Sequence, residues 1–144
     1  MRLDLLVNDF CYRAIRDRSL TLFEGNFRRN YLHVRDAARV FLFALDQIQG
    51  YNYPGPVMFG QTYNVGLSSA NLSKRELCAK IQEHVPGFVY HESEVGEDPD
   101  KRDYIVSNAK IEALGWHPTY TLDDGIRELI KAFNMPFENN YRNA

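Results

Sequence analysis

The arginines at positions 28, 29 and 102 are the side chains in this sequence best suited to hold an anion. Arg28 and Arg29 directly precede an alternating aromatic and apolar run, and Arg102 lies in the segment DPDKRDY. Arginine stays charged at every relevant pH, and its planar fork matches two phosphate oxygens. Two arginines that converge from distant loops would therefore suit a diphosphate. The alternative is that they are surface residues paired with nearby carboxylates such as Glu24 or Asp103.

Other kinds of chemistry have no supporting motif in the sequence. It contains no GxGxxG, GxxxxGK[ST], HExxH or GxSxG pattern, and its four histidines are scattered. We interpret His33 as a half-buried histidine with its hydrogen bonds satisfied rather than as a base. The acidic run from Glu92 to Asp103 lacks the spacing of an EF-hand, so it predicts a solvated loop. We therefore predict no metal site and no catalytic residue.

Length and composition narrow the class of protein. With 144 residues, 44% of them hydrophobic, residues 1–144 are predicted to form a single domain with its own core. The net charge of −2 argues against a nucleic-acid or anionic-membrane surface, because both need a large cationic field. No apolar run approaches the roughly 20 residues of a membrane span, and the N-terminus MRLDLLVNDF carries acids. We expect a cytoplasmic protein.

Periodic patterns predict helices and short strands around the arginines. The predicted helices are 3–17, 37–49, 71–85, 108–116 and 121–133, and the predicted strands lie within 19–26, 29–34, 61–66, 87–92 and 104–107. Helix 37–49 is apolar nearly all round, which predicts deep packing, with Asp36 as its N-cap or first-turn acid. Cys11 and Cys78 fall in helices and are predicted to be reduced core residues. The order favours an α/β or α+β class, with too few strands for an autonomous doubly wound sheet.

Several of these segments together resemble a known family. The pattern SLTLFEG, RRNYLHVRDAARV, TYNVG and DPDKRDYIVSNAKIEALGWHPTYTLDDGI is similar to the C-terminal half of the extended short-chain dehydrogenases/reductases. These are the NAD-dependent sugar-nucleotide epimerases and dehydratases, which act as isomerases or lyases. The similarity runs from Leu3 to about Ile130. It implies an α/β fragment with short strands and about five helices.

The resemblance also implies roles for individual residues. Arg29 and Arg102 would bind the diphosphate of a nucleotide sugar, and Asn64 would lie in the same pocket. Thr21 and Phe23 would border the nucleotide base, partly through backbone groups. In the galactose epimerases the second phosphate-binding arginine lies several residues earlier, where this chain has a glutamate. The dehydratase-like pattern DxRxY fits this chain better.

The family's N-terminal Rossmann half has no counterpart in this sequence. That half carries the glycine fingerprint for NAD or NADP and supplies a Tyr-x-x-x-Lys pair and a Ser or Thr as catalytic residues. The resemblance therefore implies a substrate-binding portion that is inactive alone, binds no cofactor alone, and is a monomer or weak dimer. A non-catalytic nucleotide-binding or protein-interaction module with the same architecture is the alternative.

Overall fold

The computed structural model describes residues 3–49, 58, 60–97, 100 and 102–135; most of the predicted loop YNYPGPVMFG and the tail after Met135 lie outside these ranges. The α-helices are α1 (Leu6–Arg16), α2 (Val34–Gln49), α3 (Lys74–His84), α4 (Ala109–Glu112) and α5 (Leu122–Phe133). The strands are β1 (Ser19–Leu22), β2 (Arg28–Asn30), β3 (Asn71–Ser73) and β4 (Val89–Glu92), and a 3-10 turn spans Ser68–Ala70. These short strands and five helices confirm the predicted fold class. Within the described ranges, no helix is both long and apolar enough to cross a bilayer.

Two separate two-stranded sheets hold the chain segments that lead to the arginines. Strand β1 pairs with β4 in parallel, and β2 pairs with β3 in antiparallel, with Arg29 opposite Leu72. Strand β3 runs directly into α3, whose first turn is closed by a capping box between Ser73 and Glu76. This box satisfies backbone N–H groups that would otherwise lack partners. The position of β2 is therefore tied to a well-anchored helix.

The core lies among α1, α3, α5 and β1. Its fully or nearly fully buried apolar residues are Phe10, Cys11, Ala14, Leu20, Leu22, Leu77, Cys78, Ile81, Val85, Phe88, Ile126 and Phe133. The ring of Tyr12 meets that of Phe133 edge-on, with 5.4 Å between centroids. Both cysteines are buried free thiols, as predicted. Burial raises the pKa of each thiol to about 12, so neither is reactive near neutral pH.

Helix α2 is not deeply packed, and the prediction that it would be is wrong. Its exposed apolar residues are Val34 at 76%, Phe41 at 71%, Leu42 at 63% and Leu45 at 52%. Apolar residues all round a helix show that it needs a partner, but not where the partner lies. Among the described residues, nothing covers this face. The side chains form an exposed apolar patch, which we call the α2 face.

Asp36 fastens α2 to the segment before α5. The carboxylate is fully buried, and it accepts hydrogen bonds from the backbone N–H of Thr119, at 3.0 and 3.1 Å, and of Tyr120, at 2.9 Å. Arg39 donates a further bond of 2.7 Å. The predicted first-turn acid is therefore in the first turn, but it bonds a distant loop rather than only its own helix. The Asp36 carboxylate thus holds the start of α2 against the segment before α5.

Two predicted strands, 61–66 and 104–107, are not strands in the structure and form no ladder in the part of the chain that is described. A strand needs a neighbouring backbone to pair with, which local pattern alone does not supply. The Asn71 side chain fills this role for Val106. Its Oδ1 accepts from the Val106 N–H at 2.9 Å, and its Nδ2 donates to the Val106 carbonyl at 3.0 Å. One side-chain amide thus fixes the segment that follows Tyr104.

Replacing Asp36 tests how much this carboxylate contributes to the fold. We expect Asp36→Ala to lower the free energy of unfolding by about 2–3 kcal/mol, because hydrogen bonds to a charged, buried acceptor would be lost. Asp46→Ala, on the exposed side of the same helix, should change it by less than about 0.5 kcal/mol. Urea unfolding followed by circular dichroism measures both. Equal effects of the two substitutions would contradict the assignment.

The same carboxylate should make stability depend on pH. Burial raises the pKa of Asp36, but hydrogen bonds from Tyr120, Thr119 and Arg39 outweigh it, so the pKa lies below its usual range. The stabilisation is therefore fully present above the unfolded pKa of about 3.9, and it is lost as pH falls through the folded pKa. Unfolding curves of Asp36→Asn between pH 6 and pH 3 should show a smaller loss than those of the parent chain.

Candidate functional site

A cleft of about 810 Å³ opens between the first turn of α1, the segment from β2 to α2, residues 100, 102 and 104, and α5. One part of its lining, the polar wall, includes Arg29, Asp100, Arg102 and Tyr104. Another part, the apolar wall, comes mainly from the start of α1 and from α5 and includes Leu5, Leu6, Leu122, Leu129 and Ala132. A cleft of this size and mixed lining is typical of sites for small organic ligands.

Arg29 is held rigidly at the base of the polar wall. The residue is only 5% exposed. Its guanidinium donates to the carbonyls of Arg28 at 2.8 Å and Asp100 at 3.2 Å, and also to the carbonyl of Arg102. Its Cζ lies 5.3 Å from the centre of the Tyr104 ring. Arg29 therefore joins β2 to Asp100 and Arg102, and these bonds fix its position.

Arg102 lies on the same wall but is far more exposed, with 72% of its side chain accessible. Its Nε and Nη2 donate to the two carboxylate oxygens of Asp100 at 2.6 and 2.7 Å. Asp100 Oδ2 is also 3.1 Å from Arg29 Nη2. The two predicted arginines therefore meet at a single carboxylate oxygen. Hydrogen bonds from Arg102, with a smaller contribution from Arg29, hold the pKa of Asp100 well below its usual range.

The structure brings together Arg29 and Arg102, but not the other predicted site residues. Asn64 is exposed and donates to the Ser107 carbonyl at 3.3 Å. Thr21 lies on β1 opposite His91, and neither Thr21 nor Phe23 lines the cleft. Their predicted roles stay predictions.

The local environment of Phe23 is nevertheless well defined. Its carbonyl accepts from the buried Lys74 Nζ at 3.1 Å. A Cβ on Gly96, where φ is +110°, would lie 2.7 Å from the Phe23 ring, so only glycine leaves room for that ring. Phe23 is thus fixed at the end of β1 by contacts from two other segments.

Arg28 and Asp103 form the surface pair that the alternative reading of the arginines predicted. The Arg28 backbone N–H donates to Asp103 Oδ1 at 2.8 Å, and the Arg28 side chain lies 4.0 Å from the same oxygen. Sequence reasoning missed Asp100 as a site residue. Its spacing of two residues from Arg102, in the segment DPDKRDY, was the signal that could have identified it.

His33 lines the cleft with each ring nitrogen close to another polar group. Its Nδ1 accepts from the Arg35 backbone N–H at 3.1 Å, and its Nε2 lies 3.4 Å from Glu128 on α5. The ring also stacks on Tyr120 with 4.5 Å between centroids. These contacts agree with the interpretation of His33 as a satisfied histidine that supports the site.

The N-termini of α1, α3 and α5 differ in how their backbone N–H groups are capped. Helices α3 and α5 each begin with a complete capping box, made by Ser73 with Glu76 and by Thr121 with Asp124. In each box the carboxylate accepts from the N-cap backbone N–H, and the Ser or Thr hydroxyl accepts from the backbone N–H three residues later. Helix α1 has no side-chain cap, and its first turn contributes to the lining of the cleft.

One group of side chains in the described ranges has donor atoms close enough for a metal ion. Donor atoms of Glu83, His84 and Asp123 lie within 4.8 Å of one another. The Lys80 ammonium lies 3.5 Å from Asp123 and 3.0 Å from Glu83, and so supplies positive charge at this place. We interpret the group as a contact between α3 and α5.

Comparison with known proteins shows which enzymes this chain is similar to. No protein-family model matches the chain. It is 29% identical over 130 residues to the low-salt glycan biosynthesis protein Agl12 of Haloferax volcanii, covering 87% of this chain and 38% of that protein. It is 32% identical over 108 residues to GDP-L-fucose synthase 1 of Arabidopsis thaliana, covering 72% of this chain and 29% of that protein. The chain thus spans well under half the length of these relatives.

Solved structures of similar fold also match this chain over less than half of their own length. The Thermus thermophilus UDP-glucose 4-epimerase with NAD has a TM-score of 0.68 and 23% identity, over 92% of this chain and 40% of that one. The Bacillus anthracis dTDP-glucose 4,6-dehydratase with NAD has a TM-score of 0.61 and 23% identity, over 91% and 39%. The structural neighbours are thus NAD-dependent epimerases and dehydratases, which confirms the predicted resemblance. The fold is that of the C-terminal portion of extended short-chain dehydrogenases/reductases.

The two cleft arginines should differ in their contribution to stability. Arg29→Ala leaves buried carbonyls and part of Asp100 without their donor, so we expect a loss of about 2–3 kcal/mol in unfolding free energy. Arg102→Ala removes an exposed ion pair and should cost less than about 1 kcal/mol. Urea unfolding of both variants measures the difference. A larger loss for Arg102→Ala would show that the buried arginine is not the structural one.

Proposed function

We propose that this chain is the nucleotide-sugar-binding portion of an NAD(P)-dependent epimerase or dehydratase. The observation that carries the proposal is the convergence of Arg29 and Arg102 on one carboxylate oxygen at the wall of the cleft. Two guanidinium groups at this separation can both donate to the oxygens of one diphosphate.

The ligand that suits both walls is a nucleoside diphosphate sugar. The diphosphate would lie against Arg29 and Arg102, and the rest of the ligand would extend over the apolar wall formed by α1 and α5. The names of several similar proteins refer to such compounds, including UDP-glucose, dTDP-glucose and GDP-L-fucose. These names support the class of ligand and leave the base and the sugar open to experiment.

This chain's part in the reaction would be to bind and orient the substrate. Holding the diphosphate at a fixed place converts an encounter into a positioned complex, which can account for a large share of a rate enhancement. NAD or NADP, held by another part of the enzyme, would supply hydride transfer. We assign no acid or base to the described residues. His33, the histidine that lines the cleft, is engaged by Arg35, Glu128 and Tyr120.

We further propose that the α2 face packs against a cofactor-binding Rossmann portion. Exposed apolar patches of this kind mark protein contacts. Segment 61–66, whose sequence pattern predicts a strand, also has no paired strand in the described structure, and a neighbouring sheet could add it as a strand. The similar structures are about two and a half times as long as the part that matches this chain, which provides room for such a portion.

A non-catalytic nucleotide-binding or interaction module is the second candidate. The α2 face is as consistent with this module as with the enzyme portion, because an exposed apolar helix suits any protein partner. Reading the genomic DNA upstream of the Met1 codon distinguishes the two. An in-frame GxxGxxG followed by Tyr-x-x-x-Lys supports the enzyme, and an in-frame stop codon without them supports the module.

Calorimetric titration of the chain with UDP, dTDP, GDP and CDP tests ligand binding. We expect at least one to bind, and Arg102→Ala to weaken binding by about 1.5–3 kcal/mol through loss of charge-assisted hydrogen bonds. Arg102→Lys should recover only part, because it keeps the charge and loses the fork. Arg127→Ala, an exposed arginine of α5 that does not line the cleft, is the matched control. Binding unaffected by Arg102→Ala would refute the diphosphate site.

The chain alone should convert no nucleotide sugar. Because the sequence contains neither the glycine fingerprint for NAD or NADP nor a Tyr-x-x-x-Lys pair, added NAD or NADP should not be reduced in the presence of UDP-, dTDP-, GDP- or CDP-sugars. Absorbance of the nicotinamide and chromatography of products measure this. Turnover that persists through purification and scales with the amount of chain would contradict the assignment of chemistry to another portion.

A further inference from the structure

The two cleft arginines are already paired with an anionic group of the protein itself, the carboxylate of Asp100. The Asp100 carboxylate accepts a bidentate pair of bonds from Arg102 and is also 3.1 Å from Arg29 Nη2. It therefore occupies the position where, under the proposed function, a ligand's diphosphate oxygen would be bound. A carboxylate and a phosphate oxygen cannot both accept from the same guanidinium donors in this geometry.

The contacts of the three side chains differ in how readily they can change. Arg29 is buried and held by three backbone carbonyls, so its guanidinium is fixed. Arg102 is largely exposed, and exposed ion pairs contribute little and reorganise easily. Asp100 is itself 37% exposed. An incoming anion can therefore replace the Asp100 carboxylate without disturbing Arg29.

We propose that Asp100 is an internal counter-ion that the diphosphate of the ligand displaces, so that Asp100 weakens and thereby sets the affinity of the site. The inference rests on the proposed function. Before binding, Asp100 neutralises part of the charge of two arginines in one cleft. On binding, its carboxylate moves toward solvent, and the donors of Arg102 and Arg29 pass to the ligand. No covalent bond changes.

A positioning role for Asp100 predicts the opposite change in ligand affinity. If Asp100 instead positioned Arg102 for the ligand, removing its charge would weaken binding. The sign of the effect of Asp100→Asn therefore decides between a competitor and a positioning residue. Asp103→Asn is a matched control, because it makes the same charge change three residues along the chain at a carboxylate that pairs with Arg28.

Calorimetric titration of the full chain with inorganic pyrophosphate, and separately with UDP and GDP, tests the proposal. We expect Asp100→Asn to bind pyrophosphate roughly tenfold more tightly than the parent chain, and Asp103→Asn to change it less than twofold. Asp100→Ala should behave as Asp100→Asn, and Asp100→Glu should stay near the parent, so a single poorly folded variant does not decide the result. Melting temperatures of all variants are measured beside the titrations.

The outcomes separate this inference from the proposed function. Weaker or unchanged binding by both Asp100→Asn and Asp100→Ala overturns the counter-ion, even if nucleotides bind in an Arg102-dependent way. Tighter pyrophosphate binding by these variants supports the counter-ion. If UDP and GDP then bind no more tightly than pyrophosphate, the nucleotide function fails while the anion exchange stands. Absence of anion binding by every variant overturns both.

Discussion

The buried guanidinium of Arg29 is the interaction on which the site depends. It joins strand β2 to Asp100 and Arg102 through carbonyls that come from two distant parts of the chain. Because a buried cation needs its hydrogen bonds satisfied, this arrangement is costly to alter. The same bonds hold Asp100 and Arg102 beside Arg29 in the lining of the cleft. One arginine thus acts mainly as a structural anchor, whereas the other keeps an exposed and adjustable fork.

This division of roles gives the cleft a charge balance that suits reversible binding. A site with two unpaired arginines would be strongly cationic and would attract many anions. The Asp100 carboxylate moderates that charge and occupies the position between the two forks. The apolar wall comes mainly from α1 and α5, so the same cleft combines a polar and an apolar surface. Such a combination favours a ligand with a charged centre and less polar ends.

The exposed α2 face contrasts with the closed core of the chain. The core among α1, α3, α5 and β1 is closed, and its cysteines and aromatic rings are buried. Helix α2 is fastened at its start by Asp36, yet it presents large apolar side chains to solvent. A helix fixed in place but uncovered on its apolar side is typical of an interface surface. The limited share of each relative that this chain matches agrees with that interpretation.

The sequence by itself determined the class of fold, the order of most elements, the buried state of the cysteines and the two arginines that share the cleft. Local periodicity and capping residues are sufficient for the elements and the cysteines, because they act over a few residues, whereas the shared site of the arginines was implied by the resemblance of whole segments to a known family. Only the tertiary structure decided that Arg29 is buried, that Asp100 lies between the arginines, and that Asp36 bonds the loop before α5. It also showed that α2 is exposed and that 61–66 and 104–107 form no ladder. These features depend on which distant segments meet, and no local pattern of residues specifies that.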